Sequence, residues 1–395
     1  MGVRRVRVCE VVVATVVLVG VAAACAPAGR PARPAAVECV AGRHGGRLVP
    51  RSGAWFGVSL DWEHDGVADY AGRLGHPPAV AVVFAALPQD ADGWRHVEGA
   101  AGQVAGSGGM LLLTLEPRAG LAAVTGSAAT SLAARLAAVN RRGVPVLVRF
   151  GHEMNGSWYP WAQQPAAYVA AFRRVAEAVH RGAPLAAMVW APNYGGGYPF
   201  GGGRYRARPH TADFAALDTD HDGGLTMADD PYAPYYPGDD VVDWVGMSLY
   251  HWGARHPWGA NVVPEPAKFP AMLTGSYDGA AGDERPVPDF YATYGDRHGK
   301  PVAILETAAF YAPANGGAPA LSIKRAWWRQ VLGPDLARRF PRLRMVNWFE
   351  WRKYEPEVHT VVDWTVTRDP VQRTAFRAQL PGWLRYADAV DFCRR

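Results

Sequence analysis

Two segments of the sequence place carboxylates where they could act in acid–base and nucleophilic chemistry. The first reads RFGHEMNGSWYPW and carries Glu153. The second reads AILE, so that Glu306 directly follows a short apolar run. A segment so rich in Arg, His, Glu and Asn suits neither a core nor an ordinary surface loop. Both segments therefore indicate a polar site at the ends of strands.

Two carboxyl groups are what glycoside hydrolysis requires. One protonates the leaving oxygen and the other attacks the anomeric carbon, and a separation of about 5–5.5 Å gives retention of configuration. We therefore predict that Glu153 is the general acid/base and Glu306 the nucleophile. The alternative is a structural role for either carboxylate, with Glu153 paired to Arg149.

The elements that must position these residues are eight short β-type runs separated by helical patterns. Most of the runs are almost continuously apolar, as expected for parallel strands that are covered on both faces. The runs are Phe56–Leu60, Ala79–Leu87, Met110–Leu115, Pro145–Phe150, Ala186–Ala191, Val242–Tyr250, Pro301–Leu305 and Arg344–Phe349. Helical spacing relates Tyr168, Phe172, Val175 and Val179, and also Leu132, Leu136 and Val139, with Gly143 at a C-cap position.

This alternation predicts an α/β fold, a (β/α)8 TIM barrel that forms one catalytic domain over residues 39–395. Runs four and seven would lie three strands apart around the ring, so their ends could face each other across the barrel mouth. A doubly wound open sheet is the alternative. No glycine-rich phosphate fingerprint follows the first run to support a nucleotide-binding version of it.

The longest irregular segment, about residues 194–240, lies between runs five and six and contains a calcium-loop pattern, DTDHDGGLTMAD. Asp218, Asp220 and Asp222 take positions one, three and five, and Gly223 takes the sharp turn at position six. The other predicted ligands are Gly224, Thr226 and Asp229. We predict a structural calcium ion and no cofactor for catalysis. The alternative is a solvated acidic loop.

The N-terminus has the pattern of an export signal. Arg4, Arg5 and Arg7 precede an apolar run from Val11 to Ala24 that ends in small residues and is too short for a comfortable transmembrane span. Residues 1–24 are predicted to be a signal peptide and residues 25–38 a Pro/Ala-rich tether. The protein is then secreted or extracytoplasmic, and acylation of Cys25 would anchor it to lipid.

In the predicted catalytic domain, the cysteines are Cys39 and Cys393. Export implies an oxidising compartment, and the first and last elements of a barrel are neighbours, so we predict a disulfide between them. Residues 1–38 carry five Arg and two Glu, which leaves +2 of the net charge of +5 for the remainder. A nucleic-acid partner is therefore not expected. We expect a monomer that binds a polysaccharide, for which the 15 Trp and 16 Tyr offer stacking platforms.

At these motifs the sequence resembles glycoside hydrolase family 26, the endo-β-mannanase family. RFGHEMNGSWYPW resembles its acid/base motif and KPVAILE its nucleophile strand. DPYAPYYPGDDVVDWVGMSLYHWG and NWFEWRKYEPEVHTVVDW resemble its sixth- and eighth-strand segments. The resemblance runs from about Phe56 to Trp364 and implies a (β/α)8 barrel, a retaining mechanism, and β-mannan or a related β-glycan as substrate.

The resemblance also implies roles for residues around the two carboxylates. His152 matches the histidine beside the acid/base and Trp158 the aromatic residue that follows it. Tyr250 matches a tyrosine that hydrogen-bonds the nucleophile. Trp348 matches the aromatic floor under the cleaved sugar. The alternative for Tyr250 and Trp348 is a place in the core, and His152 could orient its neighbours without touching sugar.

Two further residues at strand ends are expected to bind substrate. Glu116 matches a family Glu-Pro, and Asn193 ends the fifth run. The chain departs from the family after Glu306, where Thr307 to Phe310 replace a Gly-containing stretch, and we expect Phe310 and Tyr311 to reshape the subsites.

That departure leaves β-1,3-1,4-glucan and β-1,3-xylan open beside β-1,4-mannan. A catalytically silent polysaccharide-binding barrel is the rival from another class. The presence of both carboxylates favours the enzyme.

Overall fold

The computed structural model describes residues 38–39 and 47–394. After a two-residue strand, β1 (Glu38–Cys39), eight parallel strands close into a barrel. They are β2 (Ala54–Leu60), β3 (Val80–Ala86), β4 (Met110–Glu116), β5 (Val146–Phe150), β6 (Ala186–Trp190), β7 (Trp244–Ser248), β8 (Val302–Thr307) and β9 (Leu343–Glu350). Each pairs with the next, and β9 pairs with β2 to close the ring. The predicted (β/α)8 barrel is confirmed, and each of the eight predicted runs coincides with a strand.

Helices cover the outside of the barrel between the strands. They are α1 (Val67–Leu74), α2 (Ala91–Ser107), α3 (Gly126–Arg141), α4 (Pro165–Gly182), α5 (Ala212–Leu217), α6 (Lys268–Leu273), α7 (Ala320–Val331), α8 (Leu336–Arg339) and α9 (Pro370–Arg377). A π-helix spans Tyr291–Arg297, and short 3-10 turns lie at Leu121–Ala123, Ala233–Tyr235 and Ala387–Ala389. None of the helices in the described residues is long and apolar enough to cross a membrane.

Local sequence explains where several helices begin and end. Asp90, Thr125 and Asp369 precede α2, α3 and α9, and each side chain accepts a backbone N–H three residues further on. Such caps satisfy N–H groups that have no partner within the helix. Gly143, with φ 80°, follows α3 close to the C-cap position predicted for it.

The core has two layers, one inside the barrel and one between the strands and the helices. The inner layer is closed at the N-terminal end, where the Trp55 indole N–H donates to the Leu48 carbonyl at 2.9 Å. The Trp244 indole N–H donates to the Arg47 carbonyl at 2.7 Å in the same region. Because this end is filled by apolar side chains, the site can open only at the C-terminal ends of the strands.

After β9 the chain forms a hairpin, β10 (Arg352–Glu355) with β11 (Thr360–Asp363), and later adds β12 (Leu384–Arg385) beside β2. The last strand, β13 (Cys393–Arg394), runs antiparallel to β1 and places Cys39 opposite Cys393. Residues directly opposite in antiparallel strands have Cα atoms about 4.5–5.5 Å apart, which is within the span of a disulfide. The predicted Cys39–Cys393 bridge is compatible with this register and remains a prediction.

The proposed signal peptide, Cys25 and nearly all of the tether lie outside the described residues.

Candidate active site

Glu306 reaches the barrel mouth because strand β8 carries an irregularity beside it. Ala303 and Leu305 point into the barrel, so strict alternation would turn Glu306 outward to the helices. The pairing with β7 shifts, however: Met247 lies opposite Ile304, whereas Ser248 lies opposite Glu306. One extra residue on β8 is a bulge, and it returns the Glu306 side chain to the interior face.

Both carboxylate oxygens of Glu306 have donors. The Arg149 guanidinium forms an ion pair with Oε1, and the Tyr250 hydroxyl donates to Oε2 at 2.8 Å. Arg149 is completely buried, and its other terminal nitrogen donates to the Ser248 hydroxyl oxygen at 2.7 Å. The carboxylate is therefore held in one orientation. Arg149 pairs with Glu306 and not with Glu153, which was the structural alternative for the first motif.

Glu153 sits on a tight turn directly after β5. Gly151 and Glu153 both have left-handed backbone angles, φ 53° and 54°, and the Glu153 N–H donates to the Ala191 carbonyl at 2.8 Å. For a non-glycine residue this conformation costs on the order of 1 kcal/mol. The turn directs the side chain to Trp158, whose indole N–H donates to the Glu153 Oε2 atom at 3.1 Å.

The environment of Glu153 keeps its proton bound near neutral pH. Burial is the main cause, and the negative charge of Glu306 adds to it, raising the pKa of Glu153 to about 7. The Arg149 charge and hydrogen bonds from Ser248 and Trp158 act in the opposite direction. A carboxyl group with this pKa is suited to general acid catalysis.

His152 is buried and directly precedes Glu153. Its ring packs among three aromatic rings at centroid distances of 4.9–5.7 Å, those of Phe84, Tyr159 and Trp161. Burial, and the charges of Arg149 and Arg118, lower the pKa of His152 well below its usual value. The imidazole is therefore neutral, and its packing supports the loop that carries Glu153.

Glu116 ends β4 and Asn193 follows β6, the two strands on either side of β5. Glu116 is largely buried, and its Oε2 atom accepts from the Arg118 Nε atom at 3.0 Å. The main chain of Asn193 is fixed by Asn155, whose side chain accepts from the Asn193 N–H at 2.8 Å and donates to its carbonyl at 2.9 Å. Asn155 thus ties the loop that carries Glu153 to the segment after β6.

Trp348 does not form a floor for the cleaved sugar. It has no exposed surface, its indole N–H donates to the Trp364 carbonyl at 3.2 Å, and its ring packs on Phe376 of α9. Its neighbour Phe349 faces the mouth instead, with its ring centroid 5.8 Å from that of Tyr250. Successive strand residues point to opposite faces, so the expected position was wrong by one residue.

Phe310 does not reshape a subsite either. It is 1% exposed and packs against the rings of Trp252 and Trp364 at 6.2 and 5.9 Å. Tyr311 is half-buried, with the Lys324 ammonium 5.8 Å from its ring centroid. Phe310, part of the departure from the family pattern after Glu306, thus fills the layer behind the site.

The predicted calcium loop brings three of its four carboxylates together. Single oxygens of Asp218, Asp220 and Asp222 lie within 4.8 Å of one another. Asp229 lies apart from this cluster. It is buried, and its two oxygens accept from the backbone N–H groups of Thr219 at 2.6 Å and Thr226 at 2.8 Å.

Asp229 therefore braces the loop and is not one of the clustered carboxylates, contrary to the sequence prediction. The Gly224 N–H donates to Asp222 Oδ1 at 2.8 Å, and the Thr226 hydroxyl accepts from the Ala228 N–H at 3.1 Å. The three clustered aspartates have the oxygen chemistry that calcium prefers.

Comparison with known proteins agrees with this geometry. The profile of glycosyl hydrolase family 26 matches residues 122–196, which include Glu153. Endoglucanase H of Acetivibrio thermocellus is 25% identical over 152 residues, which are 37% of this chain and 13% of that much longer protein.

Solved structures share the fold. A modular endo-β-1,4-mannanase from Cellulomonas fimi superposes with a TM-score of 0.53 at 16% identity, covering 86% of this chain and 73% of the mannanase. GH26C from a Muricauda species gives a TM-score of 0.53 at 12% identity, covering 85% and 88%. The predicted resemblance is confirmed, and the fold is that of these enzymes.

Proposed function

We propose that this chain, a glycoside hydrolase similar to family 26, cleaves a β-linked polysaccharide internally and with retention of configuration, with β-1,4-mannan as the first candidate substrate. The observation that carries the proposal is that two neighbouring carboxyl groups have different environments, one favouring the ionised form and the other the protonated form. Glu306 is held by Arg149 and Tyr250, whereas burial and the Glu306 charge raise the pKa of Glu153 to about 7.

In the first step Glu153 donates its proton to the glycosidic oxygen while a Glu306 oxygen attacks the anomeric carbon. The bond from that carbon to the leaving oxygen breaks, the shortened polymer leaves as an alcohol, and a glycosyl ester forms on Glu306. The Trp158 N–H on Glu153 Oε2 stabilises the carboxylate that results from proton loss.

In the second step water attacks the same carbon and Glu153 takes the water proton. The ester has no charge, so one of the two causes that raised the pKa of Glu153 is lost, and its pKa falls. Glu153 then works as a base. Cleavage of the ester regenerates the Glu306 carboxylate and the protonated Glu153, and the two inversions together give retention.

Two observations bear on the substrate backbone. The Cellulomonas fimi protein that shares the fold is an endo-β-1,4-mannanase, which supports mannan. The match to an endoglucanase over 152 residues supports a β-glucan as the second candidate. The site chemistry is the same for both, because each requires one acid and one nucleophile.

The test is hydrolysis by the purified mature protein. Reducing-end release from β-1,4-mannan, β-1,3-1,4-glucan and β-1,3-xylan identifies the backbone, and NMR of the first product shows whether the β-anomer appears before mutarotation. Glu306→Ala should be inactive, and Glu177→Ala on the exposed face of α4 should match wild type. An α-anomer as first product would overturn retention. Binding to glycan without turnover would favour the silent barrel.

Export to an extracytoplasmic location is part of the proposal and is supported by the Arg-rich start and apolar run of residues 1–24. Acylation at Cys25 would keep the enzyme on the cell surface. Metabolic labelling with a fatty acid should mark the wild-type chain and not Cys25→Ser. Equal labelling of both forms would place the lipid at another residue, and no labelling would leave secretion without an anchor; both results contradict acylation at Cys25.

A further inference from the structure

The insertion between β6 and β7 carries three arginines in alternation. Arg204, Arg206 and Arg208 are exposed, whereas Tyr205 and Ala207 between them are partly buried. Because these three side chains are exposed, their guanidinium groups lie on the solvent side of the segment. We call these three residues the arginine strip.

The strip is fastened to the loop that carries the acid/base. The Tyr205 N–H donates to the Ser157 carbonyl at 2.9 Å, and the Ala207 N–H donates to the Gln163 side-chain oxygen at 2.8 Å. The Ser157 hydroxyl in turn donates to the Phe200 carbonyl at 2.5 Å. These bonds fix the backbone of the strip against residues 157–163.

Phe200, four residues before the strip, lies beside the part of the site where the leaving group must lie. The Phe200 ring packs edge-on against Trp158 at 5.1 Å, and Trp158 is hydrogen-bonded to Glu153. Trp158 itself is 37% exposed. Since Glu153 protonates the leaving oxygen, sugars on the leaving-group side pass this rim of the cleft.

The strip differs from other cations near the mouth in having no acidic partner. Arg118 is paired with Glu116, and Lys353 with Glu355 at 3.2 Å. Within the described residues, none of the three strip arginines forms an ion pair. Arg206 donates to the Gly201 carbonyl at 3.2 Å, and Arg204 lies 5.5 Å from the Tyr205 ring centroid.

The three clustered aspartates later in the same insertion accept hydrogen bonds from their own loop. Asp218, Asp220 and Asp222 accept backbone N–H groups of their own loop. Outside residues 1–38 the chain has a net charge of only +2, so the strip is a local feature and does not reflect a generally basic surface.

We propose that the arginine strip binds anionic groups carried by the substrate on the leaving-group side of the cleavage point. Guanidinium groups match carboxylate and sulfate geometry with paired donors, and an unpaired arginine has these donors free. The substrate class becomes a β-linked polysaccharide with carboxylate or sulfate substituents. This inference rests on the proposed hydrolase function and narrows it.

The experiment compares three forms of one polymer: β-1,4-mannan, the same mannan oxidised at C6 to carboxylate, and the same mannan sulfated. The test variant is Arg204→Gln/Arg206→Gln/Arg208→Gln. The control variant is Arg141→Gln/Arg181→Gln/Arg338→Gln, which removes three charges near the C-terminal ends of helices on the opposite face of the barrel.

Wild type should have a KM about tenfold lower for an anionic polymer than for neutral mannan, if each exposed charge contact contributes about 0.5 kcal/mol. The preference should shrink as salt rises from 0.05 to 0.5 M, because screening weakens exposed charges. The strip variant should lose the preference, and the control variant should keep it. Preference for the carboxylated or for the sulfated polymer identifies the anion.

Equal KM values for neutral and anionic polymers in wild type, or an unchanged preference in the strip variant, would overturn the inference. If none of the polymers is cleaved, the proposed function fails, and affinity electrophoresis of Glu306→Ala in gels containing each polymer tests the strip separately. If gels containing an anionic polymer still retard the protein after the strip substitutions, anion binding by the strip is refuted. The strip variant could also lose retardation while wild type has equal KM values for neutral and anionic polymers. The strip would then be a surface anchor, and this result would also contradict the proposal.

Discussion

Replacing Trp158 with Phe would remove one hydrogen bond from the acid/base and keep an aromatic ring in its place. The lost donor is the indole N–H that reaches Glu153 Oε2 at 3.1 Å. This bond stabilises the charged carboxylate and lowers the pKa of Glu153, against the dominant effect of burial. Its removal should therefore raise a pKa that is already about 7.

The size of the change follows from the exposure of the donor. A hydrogen bond to a charged group contributes about 1.5–3 kcal/mol when it is fully enclosed. Trp158 is 37% exposed, so water can replace part of the interaction, and about 1 kcal/mol is a reasonable net loss. Since one pKa unit corresponds to about 1.4 kcal/mol, the pKa of Glu153 should rise by about 0.7.

The assay is the pH dependence of kcat/KM on an aryl β-glycoside of the sugar that wild type accepts. Activity requires protonated Glu153 and falls as pH rises through its pKa, so the alkaline limb of the profile reports this group. The limb should move to higher pH in Trp158→Phe. Phe200→Leu is the matched control, because it loosens the packing on the Trp158 ring and leaves the indole N–H in place.

A limb that stays in place in Trp158→Phe, or moves to lower pH, would refute the assignment of this bond to the ionised carboxylate. An equal movement in Phe200→Leu would mean that packing and not the hydrogen bond sets the pKa. A change in KM without movement of the alkaline limb would also refute this assignment.

Four further predictions follow from the same contacts. Glu306→Ala should lower kcat by more than about a hundredfold, since a covalent step is lost; a smaller loss would refute the nucleophile assignment. Glu153→Gln should be more stable than wild type at pH 8 and not at pH 4. The raised pKa of Glu153 makes the folded wild type lose on the order of 3 kcal/mol of stability as pH rises from 4.5 towards 7, and glutamine cannot ionise. Equal urea midpoints at pH 8 would contradict this. A thiol assay of the denatured, unreduced mature protein should find Cys39 and Cys393 unreactive, whereas two free thiols would exclude the bridge. Millimolar calcium should raise the melting temperature of wild type relative to chelator and should not do so in Asp218→Asn/Asp220→Asn; identical melting of wild type in both conditions would leave only a solvated loop.

The strands and the two carboxylates at their C-terminal ends could be located from the sequence because their signals are local. A short apolar run identifies a buried parallel strand without knowledge of its neighbours, and each of the eight runs contains a strand. The clustered aspartates also lie within five positions of one another in the sequence. The partner of Arg149 was not predictable in this way, because Glu306 is 157 residues further along the chain.

Orientation was harder to predict than position. Trp348 and Phe349 are adjacent aromatic residues at the end of β9, and either could match a motif that requires an aromatic side chain there. The alternation of side chains along β9 distinguishes them, and Met345 points into the barrel. Counting in twos from Met345 leads to Phe349 and sends Trp348 to the helical layer, where it packs on Phe376.

The same counting applied to β8 would give the wrong answer for the nucleophile. From Leu305, which points into the barrel, the next residue should face outward, and Glu306 faces the mouth only because the bulge inserts one residue. One strand of the site thus follows the pleat and another breaks it, and no local property of the sequence distinguishes them. The two strands differ in the free-energy cost of an outward-facing side chain. An outward Glu306 would bury a carboxylate among apolar helices without Arg149 or Tyr250, whereas an outward Trp348 fills that layer well. The bulge is therefore best understood as a consequence of burying a charge beside its partner, and relieving it by deleting one residue of β8 should disrupt folding as well as catalysis.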